Sequence, residues 1–210
     1  LEAMHAWRVV MLAVAVAVAG ANHVVGEATS VRFPLDVPGE SSSLLLLGAT
    51  VRVKKILFVN VQVYAVGIYA EPGAVEELKG KEPNEIYDYL MEHPTQSSLR
   101  LTMVRSVTGD QMGGALKEAV QPRLKRFTSD EGAIARDMSA FEKQFDMSSL
   151  AAGTILTFTR LKSGSLVSEI DGKDKGEIAS EALSKSLFSV FLDEDSVVDR
   201  SKLLQRLAVL

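Results

Sequence analysis

Two long apolar runs, Leu44 to Ile56 and Phe58 to Glu71, leave this chain little choice but to build a sheet. Both are dense in Val, Leu, Ile and Tyr, which suit a pleated and half-buried surface. In the second run Val59, Val61, Val63 and Ala65 share one face by the two-residue period. Phe58, Asn60, Gln62, Tyr64, Val66 and Ile68 share the other. The first face is uniformly apolar and is expected in the core; the second is apolar at its ends and polar in its middle. Leu44 to Leu47 is an unbroken apolar stretch, which predicts a strand covered on both sides. A shorter β segment, Phe33 to Val37, comes before it.

Helical signals follow. Ala74 to Leu78 and Asn84 to His93 have helical spacing, and Pro94 ends the second. Leu99 to Val107 reads as another strand. Thr108-Gly-Asp-Gln111 is a capping box opening a helix with Met112, Ala115, Leu116, Ala119 and Val120 at helical spacing, which Pro122 is expected to kink or divide. Thr128-Ser-Asp-Glu131 reads as a second box, followed by Ile134, Met138, Phe141 and Phe145 on one stripe. A β pair, Thr154 to Leu161 and Ser165 to Ile170, turns at Lys162-Ser-Gly164, and a polar turn, Asp171 to Gly176, leads on. Ser180 caps a helix carrying Leu183, Leu187 and Phe191, and Leu203, Leu204 and Leu207 mark a last short one. This order is α+β, a sheet with helices layered against it.

Composition removes several function classes. The 210 residues carry 23 basic and 27 acidic side chains, a net charge of −4 with no dense basic patch, so nucleic acid is not an expected partner. There is no cysteine, hence no disulfide, thiolate nucleophile or cysteine-based metal site. His5, His23 and His93 lie far apart and form no ligand pair, so neither metal nor cofactor is expected. Residues 1–21 hold one arginine, the apolar run Val9 to Ala19 and a small-residue site at Ala19-Gly20-Ala21, the pattern of a leader outside the fold. That run is short of the roughly 20 residues needed to span a bilayer, so no stable membrane span is expected. Residues 22–210 are then expected to form a single domain, with a monomer favoured.

No glycine-rich dinucleotide loop, phosphate loop or Gly-x-Ser-x-Gly elbow occurs. Asp171-Gly-Lys-Asp-Lys-Gly176 mimics a calcium loop, but Lys173 and Lys175 would repel the cation, so it reads as a hairpin turn. Asp193, Glu194, Asp195 and Asp199 read as an exposed inter-helix loop.

One constellation carries chemistry. Arg52 sits inside a strongly β stretch and Tyr64 in the next strand on the mixed face. A buried guanidinium needs a partner, and with a tyrosine hydroxyl beside it the two form a charge-assisted clamp for a carboxylate. In the alternative, Arg52 reaches solvent beside Lys54 and Lys55, and Tyr64 merely fills the strand. The two residues alone leave both readings open.

Leu45-Leu-Leu-Gly-Ala-Thr-Val-Arg52 with Val61-Gln-Val-Tyr-Ala-Val-Gly-Ile-Tyr69 resembles the first signature of the chalcone isomerase family. Leu101-Thr-Met-Val-Arg-Ser-Val-Thr-Gly-Asp-Gln111 resembles the second, and Gly153-Thr-Ile-Leu-Thr-Phe-Thr with Gly164-Ser-Leu166 a weaker third. The resemblance implies a large antiparallel sheet covered by a layer of helices. In the family's isomerases an Arg, a Thr, a Tyr and an Asn surround the substrate; the matching positions here are Arg52, Tyr64, Met112 and Ala119. Met and Ala can neither position a water nor hydrogen-bond a phenolate. The pattern is similar to the family's non-catalytic fatty-acid-binding proteins, in which an Arg and a Tyr hold the carboxylate.

The resemblance thus implies a carrier of free fatty acids, supporting fatty-acid metabolism in a plastid. Arg52 and Tyr64 would hold the head group, with Met112, Ala115 and Ala119 against the acyl tail. The leader by itself points instead to the secretory pathway. Two competing readings are a chalcone-to-flavanone isomerase with a rearranged site and a flavonoid-pathway helper protein in which Arg52 is merely structural.

Overall fold

The computed structural model describes residues 23–25 and 29–210; the leader segment, residues 1–21, lies outside them. Strands β1 (His23–Val25) and β2 (Arg32–Pro34) form a small antiparallel pair. The main sheet has seven strands in the order β3 (Asp36–Val37), β4 (Leu44–Ile56), β5 (Val59–Ala70), β6 (Ser97–Met103), β7 (Ile155–Arg160), β8 (Leu166–Ile170), β9 (Lys173–Ile178), every neighbour antiparallel. Helices α1 (Pro72–Leu78) and α2 (Pro83–Glu92) connect β5 to β6, α3 (Gly109–Phe127) and α4 (Glu131–Lys143) connect β6 to β7, and α5 (Glu181–Leu192) and α6 (Arg200–Leu204) follow β9, with a 3₁₀ helix, Gln205–Val209, after them. This is the expected antiparallel sheet under helices. No described helix is long and apolar enough to cross a membrane.

Leu44–Leu47 is covered on both sides, as its unbroken apolarity predicts. Leu47 joins the large core between sheet and helices, with Val66, Ile68, Met112, Leu116 and Phe191. Leu44 and Leu46 join a second, smaller core on the opposite face, with Phe33, Ala65 and Tyr69. The split follows the two-residue period of the strand. A bulge between Leu46 and Gly48, where Leu47 has no opposite number, then flips the alternation, so that Ala49 and Val51 fall on the same face as Leu44 and Leu46. Gly67 lets Phe33 lie flat against this face: a Cβ there would stand 2.7 Å from the Phe33 ring.

Four local expectations are corrected. The face Val59–Val61–Val63–Ala65 is not uniformly core: Val59 is 63% exposed and Val61 and Val63 are half-buried. A second bulge explains this, because Arg52 pairs with Tyr64 while Val53 pairs with Gln62, leaving Val63 unopposed. Beyond it the inward set changes by one residue. Pro122 does not divide α3, which runs unbroken to Phe127. Pro122 and Glu118, whose carbonyl loses its helical partner to the ring, are both exposed, so the interruption lies on the solvent side of the helix.

Thr128 does not cap α4. Its N–H still bonds Leu124 O at the end of α3, and Asp130 takes the cap, its Oδ1 accepting from Ala133 N at 2.9 Å. Finally, the polar segment after Ile170 is not all turn. Asp171 and Gly172, with φ of 50° and 72°, make a tight hairpin, and Lys173–Ile178 returns as β9. Its charges disguise it as loop because it is an edge strand, where lysines are favoured.

Candidate functional site

Arg52 and Tyr64 are directly opposed across β4 and β5, so their side chains leave the sheet on the same face, toward the helices. Thr108 holds the N-terminus of α3 above them: its Oγ1 accepts from Gln111 N at 3.1 Å while Gln111 Oε1 accepts from Thr108 N at 3.0 Å. Between the strand pair and α3 lies a cleft of about 960 Å³, within the size range of ligand sites. Arg52, Tyr64, Met112, Ala115 and Ala119 all line it. Met112 is buried, Ala119 half-buried, and Ala115 exposed at the rim.

Arg52 is neither free in solvent nor paired with a carboxylate. Its Nη1 donates to Val197 O at 2.6 Å and to Val53 O at 3.2 Å. Nε and Nη2 have no partner among the described residues, so a planar acceptor can still approach the guanidinium. Tyr64 is buried, its ring edge-on to Phe191 at 6.4 Å between centroids. Burial pushes its phenol well above the ordinary tyrosine value, and the nearby Arg52 charge only partly offsets that. The hydroxyl therefore remains a proton donor throughout the neutral range.

Burial likewise raises Tyr69, against the lowering influence of Arg100 and Arg206. A raised phenol contributes stability that is complete below the unfolded-chain value, about 10, and is lost as pH rises beyond it. Thermal stability should therefore decline on alkaline titration above about pH 10, and a Tyr64→Phe/Tyr69→Phe double variant should decline less steeply. An unchanged alkaline slope in that variant would show that the two phenols do not set it.

Several cleft residues were not foreseen from the sequence. Val61 and Val63 line the sheet wall because of the bulge. Lys54, Arg105, Asp110 and Glu118 put both signs of charge around the mouth. Arg123, on the same stripe of α3 as Leu116 and Val120, is buried and also reaches the cleft. A cation on an apolar helical stripe was the available signal.

Arg123 is fully engaged. Its Nε and Nη2 grip the Asp193 carboxylate at 2.7 and 2.9 Å, Nη2 also donates to Asp195 O at 2.8 Å, and Nη1 donates to Ala119 O. Arg126 adds a 3.0 Å bond to the same carboxylate. Asp193 is thus not part of an exposed loop, as its acidic neighbours suggested, but a buried counter-ion. It anchors the segment that presents Val197 O to Arg52. Among the cleft's uncommitted donors, Arg52 and Tyr64 stand together and face the hydrocarbon of Met112, Ala119 and Leu116.

Comparison with known proteins agrees with this architecture. The family model described as chalcone isomerase-like matches residues 25–204. Fatty-acid-binding protein 1 of Arabidopsis thaliana is 28% identical over 191 residues, 82% of this chain and 65% of that protein. Fatty-acid-binding protein 2 of the same plant is 24% identical over 83% of this chain, and the match spans 48% of that protein's length. Chalcone–flavanone isomerase 1 of Fragaria ananassa is 30% identical over 146 residues, 64% of this chain and 62% of that protein. The crystal structure of the Arabidopsis thaliana fatty-acid binding protein AtFAP1 superposes with a TM-score of 0.73 at 25% identity, covering 90% of this chain and all of that one. A seven-stranded antiparallel sheet under helices, an Arg and a Tyr facing each other at its helical face, and a family match across nearly all the described residues place the chain in the chalcone isomerase-like family.

Proposed function

We propose that this protein binds free fatty acids in the cleft between β4–β5 and α3, without catalysing their conversion. The observation that carries the reading is the register itself, which sets Arg52 opposite Tyr64 at the sheet wall of a cleft whose helical wall is Met112, Ala115 and Ala119. The two donors suit a carboxylate: a charged fork and a phenol that burial keeps protonated. Of the polar side chains on the α3 wall, Asp110, Gln111 and Glu118 are exposed, and the buried Arg123 is committed to Asp193 and to the carbonyls of Ala119 and Asp195. General acid–base chemistry needs a group held within hydrogen-bonding reach of the reacting atom. A spectrophotometric chalcone assay should therefore show no rate above the uncatalysed reaction.

The energetics assign separate roles to head and tail. Burying a chain of about twelve carbons contributes roughly 9 kcal/mol before ordering losses. The charged hydrogen bond contributes about 1.5–3 kcal/mol. The tail sets affinity, and Arg52 with Tyr64 chooses acids over esters and alcohols. Arg52→Ala should weaken binding of a fatty acid roughly tenfold to a hundredfold and leave its methyl ester nearly unaffected, in a displacement titration. Equal losses for acid and ester would remove the carboxylate clamp.

Fatty-acid-binding proteins among the relatives and the AtFAP1 likeness support the ligand class. Lipids extracted from natively purified protein should contain free fatty acids by mass spectrometry. A role in fatty-acid metabolism and a plastid address belong to the same proposal, and imaging a fluorescent fusion of the full precursor tests the address.

A further inference from the structure

The β4–β5 hairpin ends in an unusual tip. Leu57 is 85% exposed and Phe58 96%, with Val59 at 63% and Val53 at 41% beside them. Leu57 and Phe58 form the two-residue turn between the last paired residues, Ile56 and Val59, and Leu57 takes a left-handed φ of 54°. Turns normally give that conformation to Gly, Asn or Asp, which relieve both strain and desolvation. Here strain and exposure combine to hold two large apolar side chains outward. Neither core includes Leu57 or Phe58.

The charge around the tip is equally one-sided. From Val51 to Gln62 the chain carries Arg52, Lys54 and Lys55 and no carboxylate, although the whole protein is net acidic at −4. Lys54 and Lys55 are exposed, immediately behind the apolar pair. An apolar insert backed by cations is complementary to one kind of surface: hydrocarbon behind a layer of anionic head groups. The same two strands form the cleft wall, through Arg52, Lys54, Val61 and Tyr64. At about 3.3 Å per residue, the tip stands roughly 17 Å from Arg52.

We infer that the β4–β5 tip docks on anionic lipid bilayers, Leu57 and Phe58 entering the interface and Lys54 and Lys55 meeting the head groups. Docked this way, the protein brings the cleft mouth to the membrane surface. The inference goes beyond the ligand reading and is tested without any fatty acid, so the two fail independently.

The test is co-sedimentation of the full chain with vesicles of phosphatidylcholine alone and of an equimolar mixture with phosphatidylglycerol. The wild type should bind the mixed vesicles, and binding should weaken with salt. Leu57→Ser/Phe58→Ser should lower partitioning by about tenfold or more, and Lys55→Gln by about fivefold. Phe58→Trp in a Trp7→Phe background should be quenched by brominated lipid, which reports insertion even if the serine variant folds poorly. Equal sedimentation of wild type and a folded serine variant would overturn the inference. So would absent quenching, or a serine variant that loses only self-association by light scattering, which would make the tip a contact between copies.

Discussion

Asp193→Ala should cost about 3–5 kcal/mol and lower the melting temperature by roughly 6–20 °C. The size follows from what the substitution leaves behind. The Arg123 and Asp193 side chains are 8% and 4% exposed, and the bidentate grip between them is the guanidinium's compensation for leaving water. With the carboxylate gone, Arg123 keeps only the carbonyls of Ala119 and Asp195. An exposed pair would lose no more than about 1 kcal/mol. A loss that small, in calorimetry or denaturant unfolding, would mean that water screens the pair.

The informative control is Arg123→Leu/Asp193→Leu, which removes both charges and should recover most of the stability. Arg126, half-exposed, can return to solvent in either variant. Function should not recover so well. The segment after Asp193 presents Val197 O to Arg52, so loosening it releases the guanidinium from its fixed position. The double-leucine variant is therefore expected to fold yet to discriminate acid from ester less sharply than the wild type.

Phe191→Ala should be comparably costly, about 3–5 kcal/mol, seen as a lower denaturant midpoint at unchanged slope. The ring is fully buried in the main core and meets Tyr64 edge-on. Removing it deletes hydrocarbon contacts and leaves a void that close-packed neighbours fill only in part. The void adjoins Tyr64 and hence the inner wall of the cleft. Longer acyl chains should consequently gain affinity relative to shorter ones in the variant. An unchanged chain-length profile would place the tail elsewhere, outward along α3.

The architecture was readable because periodicity and caps speak locally. The limits of β4 and β5, the Thr108 box and the Ser180 cap all follow from residues within a few positions of one another. Arg52 was singled out because a cation interrupts a strand pattern, and Tyr64 because it lies on the mixed face of the next strand and at a position matched by the family resemblance; the register opposes the two. Two bulges were not legible. Leu47 and Val63 look like ordinary strand residues, and only pairing with a neighbouring strand shows that each has no opposite number. That hidden residue is why Val61 was assigned to the wrong face. Asp193 was misread for a related reason: three acidic neighbours suggested solvent, whereas its partner Arg123 lies 70 residues away. Long-range pairing decides such cases, and short-range composition does not report it.

The borders of the main sheet bear on how the molecule behaves in concentrated solution. One border strand, β3, offers only two residues, and the other, β9, carries Lys173, Asp174 and Lys175 with a bulge in its pairing and a left-handed Gly176. Neither of these two strands offers another molecule a long, flat register of its own. Copies that meet at these two strands are consequently denied edge-to-edge growth of the kind that seeds fibrils, which leaves the outer side of β4 beyond the two residues paired with β3 as the place where such growth would have to begin.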